Sequence, residues 1–226
     1  MQEPWSPSPR TPYSSRSVLD LSMWFRFHET LSRDAARSAE RTKILLLGDS
    51  ITESFRGTSM GQHCERCKGV PLVLRAAYGE EALALGISGD QTQHLLWRMH
   101  HGEMPVQLQP KVIVLLIGTN NLGAGMSPED TLIGIKAVID AVRSKRPMTH
   151  ILLLGLFPRR KSKLLAEPLK QIQQVIGCGP FPTCFLTLVN SLTPGKCSSR
   201  GRGREITFCR PRGEPNSVSG LRRGVP

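Results

Sequence analysis

The sequence has no apolar run long enough to cross a lipid bilayer. A membrane-spanning helix needs about 20 consecutive apolar residues, whereas the longest runs, at 112–117 and 151–157, have the length of buried strands. The first residues also lack the apolar core of a secretory signal peptide. We therefore expect no membrane span and a cytoplasmic location, and the Ser, Pro and Arg content of the leader leaves an organelle transit peptide open.

Aromatic residues are scarce, at 5% of the chain, and basic residues outnumber acidic ones, which gives a formal net charge of +12. A charge of this size invites an acidic partner such as a nucleic acid. Half of this charge, however, lies after residue 176, where the sequence has eight basic and two acidic residues. The Arg-Gly stretch at 200–204 lacks interleaved aromatics, so a solvated basic tail is favoured over an RNA-binding segment.

The six cysteines are not accompanied by a secretory signal, so we expect reduced thiols rather than a disulfide framework. Cys64 and Cys67 have C-x-x-C spacing and follow His63, which is the pattern of half a zinc site. No further ligands stand at a suitable spacing. The favoured interpretation is a surface insertion over about 57–71, with no metal or other cofactor.

Strand-like and helical apolar patterns alternate along residues 18–176. Short apolar runs predict strands at 43–47, 82–87, 111–117 and 149–156, and helical spacing predicts helices at 17–41, 91–101, 127–145 and 166–176, with another helix beginning near Thr52. Such alternation predicts an α/β fold of three αβα layers, a flavodoxin-like doubly wound parallel sheet. Residues 1–17 are predicted to be a disordered leader, and residues 184–192 are a candidate last strand.

Three of the predicted strands end in polar turns that contain glycine. These turns are Gly48-Asp49-Ser50, Gly86-Ile87-Ser88-Gly89-Asp90 and Gly118-Thr119-Asn120-Asn121. The carboxyl ends of parallel strands meet at one edge, where open α/β sheets bind their ligands. A serine on a strand-to-helix turn is a candidate nucleophile, although Asp and Ser are also ordinary turn and capping residues.

In these three blocks the chain resembles the GDSL/SGNH hydrolases, and residues 86–98 are most similar to the catalytic subunits of intracellular platelet-activating factor acetylhydrolase. The resemblance implies a serine esterase or acetylhydrolase that cleaves short acyl esters. Ser50 would be the nucleophile, and the backbone N–H groups of Ser50 and Gly89 with the Asn120 amide would form the oxyanion hole. Asp49 and Asn121 would support these turns. The resemblance also implies a homodimer and requires no cofactor.

Two residues of the second block and its helix receive structural roles. We interpret Asp90 as the N-cap of the helix that follows. His94 lies on that helix and is interpreted as a packing or polar-contact residue rather than as a base.

The Asp-x-x-His block that gives this family its base and orienting carboxylate is absent. The last histidine is His150, and neither Asp nor His follows Ile176. We expect the hydrolase sequence to end near Ile176, truncating the fold at its last strand and helix. A basic, low-order tail of unrelated sequence would follow over 177–226. A splice variant, a frameshift and an error in the gene model would each produce such a tail.

The missing block leaves three functional hypotheses. The first is an active ester hydrolase whose base comes from the tail, from a displaced histidine or from a partner chain. The second is an inactive relative that keeps the fold and serves in binding or dimerisation. The third is RNA binding through the Arg/Gly tail.

Overall fold

The computed structural model describes residues 2–11 and 17–157, together with the backbone of 186–189. Its elements are, in chain order, α1 (Val18–Arg37), β1 (Ile44–Gly48), α2 (Ser50–Glu53), β2 (Thr58–Ser59), β3 (Gln62–His63), α3 (Val70–Tyr78), β4 (Ala82–Gly86), α4 (Thr92–His100), β5 (Val112–Leu116), α5 (Thr119–Gly123), α6 (Pro128–Lys145), β6 (His150–Leu154) and β7 (Leu186–Val189). The helix predicted at 166–176 and most of the tail lie outside the described residues. Within those residues no helix is both long and apolar enough to span a membrane.

Five strands form one sheet in the order β4-β1-β5-β6-β7. The first four are parallel, as the alternating pattern predicts, and β7 pairs antiparallel with β6. Gly48 at the end of β1 lies level with Gly86 of β4 and Leu116 of β5. Because three neighbouring strands end together, the three polar turns leave the sheet side by side.

One face of the sheet is almost completely buried. Its side chains join those of α1, α4 and α6 in a single core, and the strand residues on this face are Leu45, Leu47, Leu85, Ile113, Leu115, Ile151 and Leu153. None of these is more than 4% exposed. Burial of apolar surface contributes about 25 cal/mol per Å². This packing therefore stabilises the strands from which the three polar turns extend.

The helices around this core begin where their capping residues predict. The Ser17 side chain accepts a hydrogen bond from the Asp20 N–H at the start of α1, and Ser127 accepts one from the Asp130 N–H at the start of α6. Such caps satisfy backbone donors that a helix leaves unpaired. The fold class predicted from the sequence is confirmed, with a parallel sheet and flanking helices.

The insertion after α2 contains structure that the sequence did not predict. The short hairpin β2–β3 is followed by α3, on which Leu72, Val73 and Tyr78 are exposed. Cys64 and Cys67 are joined by a disulfide across a short turn, with Cα atoms 5.2 Å apart. The expectation of reduced thiols was therefore wrong for this pair, because the turn brings the two side chains together. The other four cysteines lie outside the described residues.

Residues 2–11 belong to the leader for which the composition predicts disorder. In the structure they lie along α4: the Ser8 N–H donates to the Gln93 carbonyl at 3.1 Å, and the Thr92 hydroxyl donates to the Pro4 carbonyl at 2.7 Å. Pro4 and Arg10 are buried. The leader thus reaches the edge of the sheet at which the polar turns meet.

Candidate active site

Ser50 is the first residue of α2 and is exposed, directly after the buried end of β1. The turn is held by Asp49, which is fully buried and accepts a hydrogen bond from the Ile51 N–H at 3.0 Å. No residue larger than glycine fits at position 48, because a Cβ atom would lie 2.3 Å from the Leu116 carbonyl oxygen. Asp49 therefore caps the start of α2, and its supporting role in a catalytic site stays a prediction.

The second turn contains Gly89, whose φ of +84° is a backbone conformation that favours glycine. Glu53 holds the preceding residue: its Oε2 accepts hydrogen bonds from the N–H and the hydroxyl of Ser88, both at 2.6 Å. Its Oε1 accepts from the Gly61 N–H at 2.8 Å and from the Thr58 hydroxyl at 2.9 Å. Glu53 is fully buried and was missed from the sequence, where it looks like an ordinary polar residue of a short helix.

The third turn places Asn120 between the other two. Its Nδ2 donates to the Asp90 carbonyl oxygen at 2.8 Å and lies 3.4 Å from the Asp49 carboxylate. Asn121 is fully buried and accepts a hydrogen bond from the Thr92 N–H at 3.0 Å. It also donates to the Thr92 hydroxyl at the same distance. Asn120 thus links the first and second turns, whereas Asn121 fastens α5 to α4.

Asp90 is not the N-cap of α4, as the sequence suggested; that place belongs to Gln91. The Asp90 carboxylate is fully buried and accepts hydrogen bonds from Arg98 Nε, Trp24 Nε1 and Arg10 Nη2, at 2.7, 2.7 and 3.1 Å. The interpretation failed because the long side chains of α1 and α4 reach the carboxylate, and a local capping pattern cannot show them.

Arg98 is fully buried and connects three parts of the site. It pairs with Asp90 and Glu103 and donates from Nη2 to the Gly48 carbonyl at 3.0 Å. Burial alone would lower the pKa of Arg98, but Glu103 and Asp90 outweigh it and raise the pKa above its usual value. The cation behind the Ser50 turn is therefore permanent.

His94 has the packing role that the sequence predicted. Its Nδ1 accepts a hydrogen bond from the Gln91 N–H at 3.1 Å, and its ring is 1% exposed. Burial lowers the pKa of His94 to about 4, and nearby Asp90 opposes this shift only in part. The imidazole is thus neutral near pH 7.

The remaining described histidines do not reach Ser50 either. His28 pairs with Glu103 at 2.8 Å, and His150 starts β6 at the amino ends of the parallel strands, opposite the turns. Within residues 2–11 and 17–157, no histidine is hydrogen-bonded to the Ser50 hydroxyl. In the same part of the chain, no three His, Cys, Asp or Glu side chains are grouped as metal ligands.

The three turns therefore meet as the motif spacing predicts, and comparison with known proteins agrees. The model of the GDSL-like lipase/acylhydrolase family matches residues 46–177. The chain belongs to this family.

Two curated relatives and one solved structure show how far the similarity extends. The human platelet-activating factor acetylhydrolase IB subunit alpha2 is 40% identical over 160 residues, which cover 71% of this chain and 61% of that protein. The human subunit alpha1 is 30% identical over 155 residues, 68% of this chain and 59% of that protein. The chain thus spans less than two thirds of these relatives. A solved structure from Streptococcus pneumonia, whose description names platelet activating factor, shares the fold, with a TM-score of 0.51 and 24% identity over 68% of each chain.

Proposed function

We propose that the chain is a serine hydrolase of short acyl esters, with Ser50 as its nucleophile. The observation that carries this proposal is the meeting of three turns at one sheet edge, where the Asn120 amide lies between the Asp49 carboxylate and the Asp90 carbonyl. Membership of the acylhydrolase family supports it. The substrate would be a small acyl ester.

In the proposed reaction the Ser50 oxygen attacks the ester carbonyl and forms a tetrahedral oxyanion. The N–H groups of Ser50 and Gly89 and the Nδ2 of Asn120 would donate hydrogen bonds to it. Fixed donors of this kind are often the largest single term in acyl transfer, and loss of one costs about 10²–10³ in rate. Departure of the alcohol leaves an acyl-serine, which water then hydrolyses.

The proton of Ser50 needs an acceptor, and no described histidine is placed to take it. Loss of the base in a catalytic triad can cost about 10⁶ in turnover, while binding and the oxyanion hole alone retain roughly 10³–10⁴ over water. We therefore expect slow turnover unless a base comes from outside the described residues or from a partner chain.

Labelling of the purified full chain with a fluorophosphonate tests this function, because the probe reports an activated serine without the natural substrate. Ser54→Ala is a matched control, since the Ser54 hydroxyl bonds the Ile51 carbonyl one turn further along. We expect labelling that Ser50→Ala abolishes and Ser54→Ala leaves intact. No labelling of a folded wild-type sample would overturn the active-hydrolase proposal.

The lack of a histidine beside Ser50 among the described residues favours a second candidate, an inactive relative that serves in binding or dimerisation. Sedimentation of the unlabelled protein would test self-association. RNA binding through the tail stays a prediction, for which salt-dependent binding lost on deletion of 177–226 would be the support. The cytoplasmic location also stays a prediction.

A further inference from the structure

Arg10 reaches the second turn of the site from the leader. Its Nη2 donates hydrogen bonds to the Ser88 carbonyl oxygen and to the Asp90 carboxylate, the latter at 3.1 Å. Its Nη1 lies 3.7 Å from the Met60 sulfur, and the guanidinium stands 6.0 Å from the centre of the Trp24 ring. The side chain is 7% exposed, so this contact is made away from bulk solvent.

The Ser88 carbonyl belongs to the same peptide unit as the Gly89 N–H, the proposed oxyanion donor. A trans peptide is planar, and its C=O and N–H point in opposite directions. A cation bound at the oxygen therefore fixes the direction of the N–H. It also polarises the unit and makes the N–H a stronger donor, because hydrogen bonds through one peptide reinforce each other.

We propose that Arg10 is a positioning residue for the oxyanion hole, acting through the Ser88–Gly89 peptide. This inference rests on the proposed function. The leader thereby supplies a part of the site that none of the three motif blocks contains.

Two features of the structure support this role. Glu53 accepts a hydrogen bond from the N–H of Ser88, which belongs to the preceding Ile87–Ser88 peptide, while Arg10 donates to the Ser88 carbonyl. Ser88 is therefore fixed on both sides of its Cα, and the Ser88–Gly89 unit begins from a held residue. Gly89 allows the cation to approach, because a Cβ atom at that position would lie 2.8 Å from Arg10 Nη2. The absence of a side chain at Gly89 therefore leaves the space that the Arg10 guanidinium occupies.

The segment that carries Arg10 is held against α4 and α6 by the residues that precede Arg10. The Pro4 carbonyl accepts a hydrogen bond from Thr92, and a Cβ atom on Gly134 of α6 would lie 2.9 Å from the same carbonyl oxygen. Ser8 is bonded to Gln93. These contacts limit the places that Arg10 can occupy and keep it over the second turn.

The test compares Arg10→Ala, Arg10→Gln and Arg10→Lys in the full chain, with the exposed Arg26→Ala as control. Two readouts are measured: the ¹H and ¹⁵N chemical shifts of the Gly89 amide, and the rate constant for fluorophosphonate labelling of Ser50. We expect Arg10→Ala to move the Gly89 shifts more than Arg26→Ala does and to slow labelling about tenfold. Arg10→Lys, which keeps the charge, should restore part of the labelling rate. Arg10→Gln, which keeps a donor but no charge, should restore less of it.

If the Gly89 chemical shifts are the same in Arg10→Ala and the wild type, the inference is overturned. It is also overturned if these shifts change but the rate constant for labelling of Ser50 does not. Faster labelling of Arg10→Ala would also overturn it, because Arg10 would then block the site. If the wild-type chain is not labelled, the proposed function fails, but the Gly89 shifts still decide whether Arg10 polarises this peptide. Thermal unfolding of each variant separates these effects from loss of the fold, and the glutamine and lysine variants keep a donor in place.

Discussion

Arg98 on α4 donates a hydrogen bond from Nη2 to the carbonyl oxygen of Gly48, 3.0 Å away and one residue before the Asp49-Ser50 turn. The same guanidinium is paired with two buried carboxylates, Asp90 and Glu103. A fully buried cation thus holds together the end of β1, the turn after β4 and the loop after α4. The position of Ser50 depends on a residue that does not belong to any of the three motif blocks.

Replacement of Arg98 by methionine should destabilise the protein strongly. It removes the cation that two buried carboxylates share, which leaves Asp90 with only Arg10 and Trp24 and Glu103 with only His28. Breaking a buried ion pair costs about 3–5 kcal/mol. Urea unfolding would measure the change, and Arg26→Met would serve as the exposed control. A loss no larger than that of the control would contradict the role assigned to Arg98.

The two adjacent asparagines should respond differently to substitution by alanine. Asn120→Ala removes a proposed oxyanion donor, so labelling of Ser50 should fall about 10²–10³-fold. Stability should fall by only about 0.5–1.5 kcal/mol, because the bond to the Asp90 carbonyl is lost. Asn121→Ala removes the bonds to Thr92 and should lower the free energy of unfolding by about 1–3 kcal/mol. Labelling rates and urea unfolding of both variants check this, and equal effects on both quantities would contradict the division of roles.

Glu53→Gln should be destabilising although it is nearly isosteric. The Glu53 carboxylate accepts four hydrogen bonds, two of them from the N–H groups of Gly61 and Ser88. The amide of glutamine would turn a donor toward one of these donors, and an unsatisfied buried group costs about 1–3 kcal/mol. Unfolding by urea would show this loss in Glu53→Gln, whereas the exposed Glu40→Gln should be neutral. Wild-type stability in Glu53→Gln would argue against this arrangement.

His94 should make the folded state lose stability in mild acid. Burial lowers its pKa from 6.5 to about 4, so between these values the unfolded chain binds the proton and the folded chain does not. Its contribution is complete above pH 6.5 and is lost as the pH falls toward 4, with a total of roughly 3 kcal/mol. Urea unfolding at several pH values should give a flatter dependence for His94→Asn, which keeps an acceptor for the Gln91 N–H. The same slope in both proteins would contradict the assignment.

The sheet and its principal helices could be predicted because their signals are local. An apolar run of strand length that stops at Gly48 or Gly118 marks both a buried parallel strand and the turn that follows it. Ser127 and Pro128 mark the start of α6 in the same way. The order of the motif blocks then places Ser50, Gly89 and Asn120 at one edge, which the structure bears out for the three turns. Their chemical roles stay predictions until labelling is measured.

The parts that could not be predicted depend on contacts distant in sequence. Asp90 has the spacing of a helix cap, but its carboxylate instead accepts hydrogen bonds from three long side chains of α1, α4 and the leader. The Cys64–Cys67 pair was misjudged because bonding depends on the turn between the two residues as well as on the compartment. Glu53 and Arg10 look like ordinary surface residues until the partners that bury them are known.

The sequence alone determined the fold class, the family and the three turns, because apolar periodicity and turn chemistry act between near neighbours. The tertiary structure decided which charged side chains stand behind those turns. A buried ion or carboxylate is tolerable only when several partners satisfy it at once. Those partners come here from the leader, α1, α2 and α4, which meet only when the sheet is assembled.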